Sequence, residues 1–242
     1  MYTVFISKYE NDPTPYAITK VLSAFSKKCD YNCVILSPGY MSRNPDTINQ
    51  YIYNLSGILE NTHVGFFYGM NGNNTVNKGT NTIREEHVRN VLHLKNAQYL
   101  YIQCINHKDH RKMMFFIKNK SMPIVLEKKN MQCFLDDSTV CGILIGSSNQ
   151  SLNTYYGGVY GNPANKGEAD ILMYYEDDKK SISDSILELE SNVYNDQINN
   201  HHLFPRIRVS KSIDVPQNTN ECEFEKEYFK NILKDFLENN LT

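Results

Sequence analysis

Apolar positions in this 242-residue chain switch repeatedly between helical and strand spacing. Ile18, Val21, Leu22 and Phe25 recur at helical intervals over residues 16–28, and the β-rich run YNCVILSPGY follows, stopped by Pro38 and Gly39. Asn44 and Asp46 then offer caps for a helix carrying Ile48, Tyr51, Ile52, Leu55, Ile58 and Leu59, and HVGFFYGM reads as a second buried strand. The Gly- and Asn-rich NGNNTVNKGTN reads as an exposed loop. A third helix over 82–94 leads into the strand QYLYIQCI, and after the polar break NHKDH comes RKMMFFIK. Further strands are predicted at MPIVLE, VCGILIG and ADILMYYE, and a helix at SISDSILELESNVYN. Strands alternating with helices of this length predict an α/β fold with a mostly parallel sheet covered by helices on both faces.

The tail differs. HHLFPRIRVSKSIDVPQNTN is polar and irregular, with Pro216 marking a linker, and ECEFEKEYFKNILKDFLENN places Phe224, Tyr228, Ile232, Leu233, Phe236 and Leu237 on one helical face. We expect one domain over 1–200 and a tail over 201–242 whose helix packs on that domain or on a second copy of the chain.

With 25 basic and 27 acidic residues the net charge is −2, so any grip on a polyanion must come from a local patch. The six cysteines form no C-x-x-C pair and the start has no secretory pattern, which predicts reduced thiols and a cytoplasmic location. No run reaches the length of a membrane span, so no membrane partner is expected.

Chemistry concentrates in three places. In DHRKMMFF, His110 and Lys112 are two apart at the start of a strand, so the pleat directs imidazole and ammonium to one side. Alone, such a pair is usually a solvated strand start. Downstream, VCGILIG delivers GSSNQS, where Gly146 permits close backbone approach and Ser147 and Asn149 offer short donors suited to phosphate oxygens. In NKGEADILMYY, Glu168 stands at a strand start, placed to accept the second ring proton of a histidine. Other features read more blandly. Cys104, His107 and His110 have metal-like spacing, but on strands they do not converge and no fourth ligand is near. His107 and Asp109 fall in the loop; Arg206 and Arg208 share one face of an extended PRIRVSK with Ile207 and Val209 facing inward, and they, like Lys128 and Lys129, are candidates for DNA contact or a solvated face.

Together, His110 with Lys112, then Gly146, Ser147 and Asn149, then Asn165 with Glu168, resemble the half-site motif of the phospholipase D superfamily. SPGYMS and FFYGMNG are similar to the nuclease domain of restriction endonucleases built on that fold; the resemblance covers roughly residues 30–175. It implies a phospholipase D-like α/β/α sandwich and a metal-independent phosphodiesterase acting on DNA, with His110, Lys112, Asn149 and Glu168 catalytic, Ser147 binding substrate, and no cofactor. The superfamily's aspartate five residues after the lysine is here Ile117, and residues 119–140 hold an inserted hairpin or loop. Because a complete site uses two H-x-K copies and this chain has one, the resemblance also implies a homodimer with the site on its two-fold axis. Two alternatives stay open: a phospholipid phosphodiesterase using the C-terminal helix as an interfacial surface, and a degenerate nucleic-acid-binding dimer.

Overall fold

The computed structural model describes residues 1–8, 17–41, 55–70, 86, 88–93, 97–104, 112–146, 168–175, 182, 184–189, 207–211 and 221–241. In chain order the elements are β1 (Tyr2–Lys8), α1 (Ala17–Lys28), β2 (Cys33–Met41), α2 (Ser56–Leu59), β3 (His63–Met70), β4 (Gln98–Cys104) and β5 (Met113–Asn119). A 3-10 turn (Lys128–Asn130) runs into α3 (Met131–Asp136), followed by β6 (Ser138–Gly146), β7 (Glu168–Tyr174), β8 (Ile207–Lys211) and α4 (Glu221–Asn240). Residues 88–93 and 184–189 are also helical, within the two further helices predicted from periodicity.

The strands form one mixed sheet in the order β4-β3-β2-β5-β6-β7-β1-β8. Its helices cover both faces, as expected, but the mostly parallel sheet is not observed. Only β2–β3 and β3–β4 pair in parallel, and five of the seven pairings are antiparallel. The reason lies in the polar break after β4. A parallel neighbour needs a crossover of a dozen or more residues. Only residues 105–112 separate β4 from β5, so the chain re-enters the sheet at the end it has just left and β5 runs antiparallel to β2.

Period-2 alternation along these strands feeds two separate cores. On the first face, Val34, Leu36, Val64, Phe66, Met114, Phe116, Leu144 and Leu172 pack against Ile18, Val21, Leu22 and Phe25 of α1, Ile58 and Leu59 of α2, and the helical Val88, Leu92 and Ile186. Phe25 lies edge-on to Phe116 and Tyr174, and its ring occupies the space beside Gly142, where an added Cβ would lie 2.8 Å from Cζ. On the second face, Cys33, Ile35, Phe67, Phe115, Ile117 and Ile143 meet Phe134 and Leu135 of α3 and Phe229, Leu233, Phe236 and Leu237 of α4.

The C-terminal helix therefore covers the sheet of its own chain. Its buried stripe is rotated from the one read from sequence, since Phe229 is fully buried and Tyr228 is 46% exposed. Each large apolar side chain taken out of water in this way contributes about 1.5–3 kcal/mol.

Several strand boundaries differ from expectation. MPIVLE forms no strand: residues 120–127 are irregular, with Ile124 93% exposed, before the 3-10 turn and α3. Pro38 and Gly39 do not end β2, because the register with β3 shifts between Leu36 and Gly39 and pairing resumes through Met41. Such an irregularity is where a ladder tolerates proline. One strand, β1, went unpredicted, and the extended PRIRVSK segment proves to be a strand of the same sheet. YTVFISK fills the position between β7 and β8, and IRVSK inside the polar tail pairs antiparallel with it.

Candidate functional site

Strand direction decides which chain segments meet. β1, β2, β3, β4 and β6 run one way, and β5, β7 and β8 run the other. The C-terminal ends of the first set and the N-terminal ends of the second therefore share one end of the sheet. Every candidate motif opens there: Lys112 immediately precedes β5, Gly146 closes β6 and Glu168 opens β7.

β5, β6 and β7 are consecutive neighbours, so three segments far apart in sequence become adjacent. The Gly146 amide donates to the Lys112 carbonyl at 3.2 Å, one step beyond the Met113–Ile145 pair. Across the other edge of β6, Gly146 is in register with Asp170, and Asp170 in turn with Ile6 of β1. Lys112, Gly146 and Asp170 thus form one row across the sheet. The pleat places all three on the first face, in step with Met114 and Phe116, Leu144, and Leu172 and Tyr174 respectively.

Asp170 is 4% exposed, a rare state for a carboxylate. It leans over Gly146 so closely that an added Cβ there would fall 1.6 Å from Oδ1 and 2.4 Å from Cγ. The glycine is required because the carboxylate occupies the space a side chain would fill. Lys112 is half-buried, and both it and Asp170 are engaged by other groups, so neither is a free charge.

Of the residues predicted from sequence, Lys112 and Gly146 are brought together and the backbone of Glu168 joins them at the same sheet end, opposite Lys8 of β1. His110, Ser147, Asn149 and Asn165 lie outside the described residues, as do His107, Asp109 and Arg206. Arg208 sits in β8 opposite Phe5. Asp170 was missed. Its signal was an acidic residue in phase with Leu172 and Tyr174 on an otherwise apolar strand, two positions beyond the glutamate that drew the attention.

The inserted segment follows β5 and precedes β6, so Lys128 and Lys129 lie at the far end of the sheet. A seven-residue strand separates the ends by roughly 20 Å, which removes those lysines from any phosphate held beside Lys112. The insertion is closed on itself by Asn119, whose amide donates to the Phe134 carbonyl at 3.0 Å and to Ser138 Oγ at 2.8 Å. It leaves the β5–β6 pairing intact.

Ile117 is fully buried in the second core, against β2 and β6 and on the face opposite Lys112. An aspartate there would point away from the motif end into apolar side chains. Among the described residues no cluster of three or more His, Cys, Asp or Glu is placed to hold a metal ion, and no helix is long and apolar enough to cross a membrane. A cavity of about 520 Å³ lies on the helical layer between α1, α2 and residues 185–189, away from the motif row. No protein-family model, no characterised protein and no solved structure matches this chain.

Proposed function

We propose that the chain is a metal-independent phosphodiesterase of the restriction-endonuclease type, cleaving DNA at the sheet end that carries the Lys112–Gly146–Asp170 row. The observation that supports this reading is the Gly146 amide to Lys112 carbonyl bond, 3.2 Å long, which sets the H-x-K segment beside the segment leading to Ser147 and Asn149. The mixed sheet and the helices on both faces agree with the phospholipase D resemblance; the mostly parallel strand direction it implies does not match this mostly antiparallel sheet.

In this reading a ring nitrogen of His110 attacks phosphorus and the bond to the leaving oxygen breaks, with its proton supplied by His110 of a second copy. Water then attacks the phosphohistidine, the second imidazole takes its proton and the P–N bond breaks. Lys112, Ser147 and Asn149 stabilise the charge spread over the equatorial oxygens, a task in which fixed donors outperform reorienting water. The second copy is part of the proposal, because one chain holds one H-x-K. The phospholipid alternative loses the surface it wanted, since the apolar stripe of α4 is buried on the chain's own sheet.

The test uses duplex DNA and bis-p-nitrophenyl phosphate in excess EDTA. Cleavage by the parent and its loss in His110→Ala are expected. Cleavage that stops with the chelator, or persists undiminished in His110→Ala, overturns the reading.

A further inference from the structure

The end of the sheet opposite the motif row holds a second chemical cluster. β6 carries one residue more than β5 at this point: Phe116 pairs with Gly142 and Ile117 with Val140, leaving Cys141 as a bulged residue. Bulges re-aim a side chain out of the ladder. Here the single Cys141 S–H is shared between the Asp30 carbonyl at 3.6 Å and the Thr139 carbonyl at 3.7 Å. Asp30 directly follows Cys29 at the C-terminal end of α1, and both cysteines line a cavity of about 190 Å³ with Lys118, Tyr175, Ile182 and Lys226.

Neither cysteine is in a disulfide and both are half-buried, so they are accessible and yet held in place. Two ammonium groups border the cavity: Lys118 bonds Asp30 at 3.0 Å, and the Lys226 Nζ lies 5.4 Å from the centre of the Tyr175 ring. Positive charge and hydrogen-bond donors beside a sulfur favour its thiolate, the form that attacks disulfides. Hydrogen bonds rather than these charges hold the Cys141 thiol below its usual value, first one from Cys29 and then those from the Tyr175 hydroxyl and the Lys118 backbone amide; burial and the Asp30 charge oppose them. The other two cysteines described with their side chains differ. Cys33 is fully buried in the second core, where burial pushes its thiol up, and Cys133 is exposed on α3.

We infer that Cys29 and Cys141 form a dithiol site that reacts with low-molecular-weight disulfides and closes to an internal disulfide. The Cys141 thiolate attacks one sulfur of the reagent, forming a mixed disulfide and releasing one thiolate, which takes up a proton. The Cys29 sulfur then attacks the Cys141 side of that mixed disulfide and releases the second thiol. Both cysteines are oxidised, the reagent is reduced to two thiols, and the two protein protons end on the products. The bridge ties the end of α1 to the middle strand β6. It is independent of the phosphodiester chemistry at the other end of the sheet.

The full chain is equilibrated with glutathione and glutathione disulfide, quenched in acid, alkylated, weighed intact and mapped without reduction. Loss of two hydrogens and a peptide linking Cys29 to Cys141 are expected. Cys29→Ser should stop at one glutathione on Cys141, and Cys141→Ser should leave Cys29 alkylatable. If a serine variant does not fold, the unsubstituted protein still decides: phenylarsine oxide, which bridges neighbouring thiols, should shield Cys29 and Cys141 from alkylation and leave Cys133 reactive. A bridge joining any other pair, or both thiols still alkylated in a buffer that oxidises a reference dithiol peptide, overturns the proposal.

Discussion

The Asp170 carboxylate rests on Gly146, with Oδ1 1.6 Å from the point where a side chain at 146 would begin. This contact joins β6 to β7 at the sheet end where the motif segments meet, so it ties packing to the candidate chemistry. Gly146→Ala must displace both the carboxylate and the backbone, since the Asp170 Cα is only 2.8 Å from the same point. A loss of about 1–3 kcal/mol is expected, the usual cost of overpacking, read from urea denaturation. Asp170→Ala in the same chain removes the nearest atoms, so the double substitution should cost less than the sum of the singles. Simple additivity would mean the two residues do not share this contact.

Ile117 offers a sharper test of the resemblance. Placing an aspartate there buries a carboxylate among Cys33, Phe115 and Val140 on the face away from Lys112. We expect Ile117→Asp to destabilise the fold by about 3 kcal/mol or more and to leave phosphodiesterase turnover per folded molecule no higher than in the parent. A gain in turnover would show that position 117 reaches the motif end after all.

The C-terminal helix is expected to be a structural cover. Phe236 is fully buried and its ring lies 5.2 Å from that of Phe67 and 5.4 Å from that of Phe115, at the centre of the second core. Phe236→Ala should cost about 3–5 kcal/mol in equilibrium unfolding. Tyr228→Ala, on the exposed side of the same helix, should change stability by less than about 0.5 kcal/mol. Comparable losses in the two variants would mean that both sides of α4 are covered in solution.

A buried thiol and a half-buried phenol set an alkaline limit. Burial pushes the Tyr31 hydroxyl up from its ordinary 10.0, with the charge of Cys29 adding and a Ser26 hydrogen bond opposing, and burial alone pushes the Cys33 thiol up from 9.0. Folded-state values above unfolded ones mean that the folded chain keeps protons the unfolded chain has released. The associated stability is complete below the unfolded values and is lost as pH climbs past 9.0 for Cys33 and 10.0 for Tyr31. Each group should steepen the decline by about 1.4 kcal/mol per pH unit in that window. Cys33→Ala should remove its share of the slope when urea midpoints are compared from neutral to strongly alkaline pH.

Local patterning was enough to identify many elements. The spacing of Ile18, Val21, Leu22 and Phe25 specified a helix, and HVGFFYGM coincides with β3, because both signals come from how side chains of one segment share a face. Lys112 before β5, Gly146 at the end of β6 and Glu168 at the start of β7 stand where those strand ends were read. Sheet direction was not. It depends on which end of the sheet the chain enters, and only the short passage from β4 to β5 fixes that. β1 went unpredicted because its partners, β7 and β8, are distant in sequence and nothing local records the pairing. Asp170 over Gly146 and Cys141 beside Cys29 are also products of tertiary structure. Each pair is joined across elements that no local period relates, and sequence spacing carries no record of the register that brings them into contact.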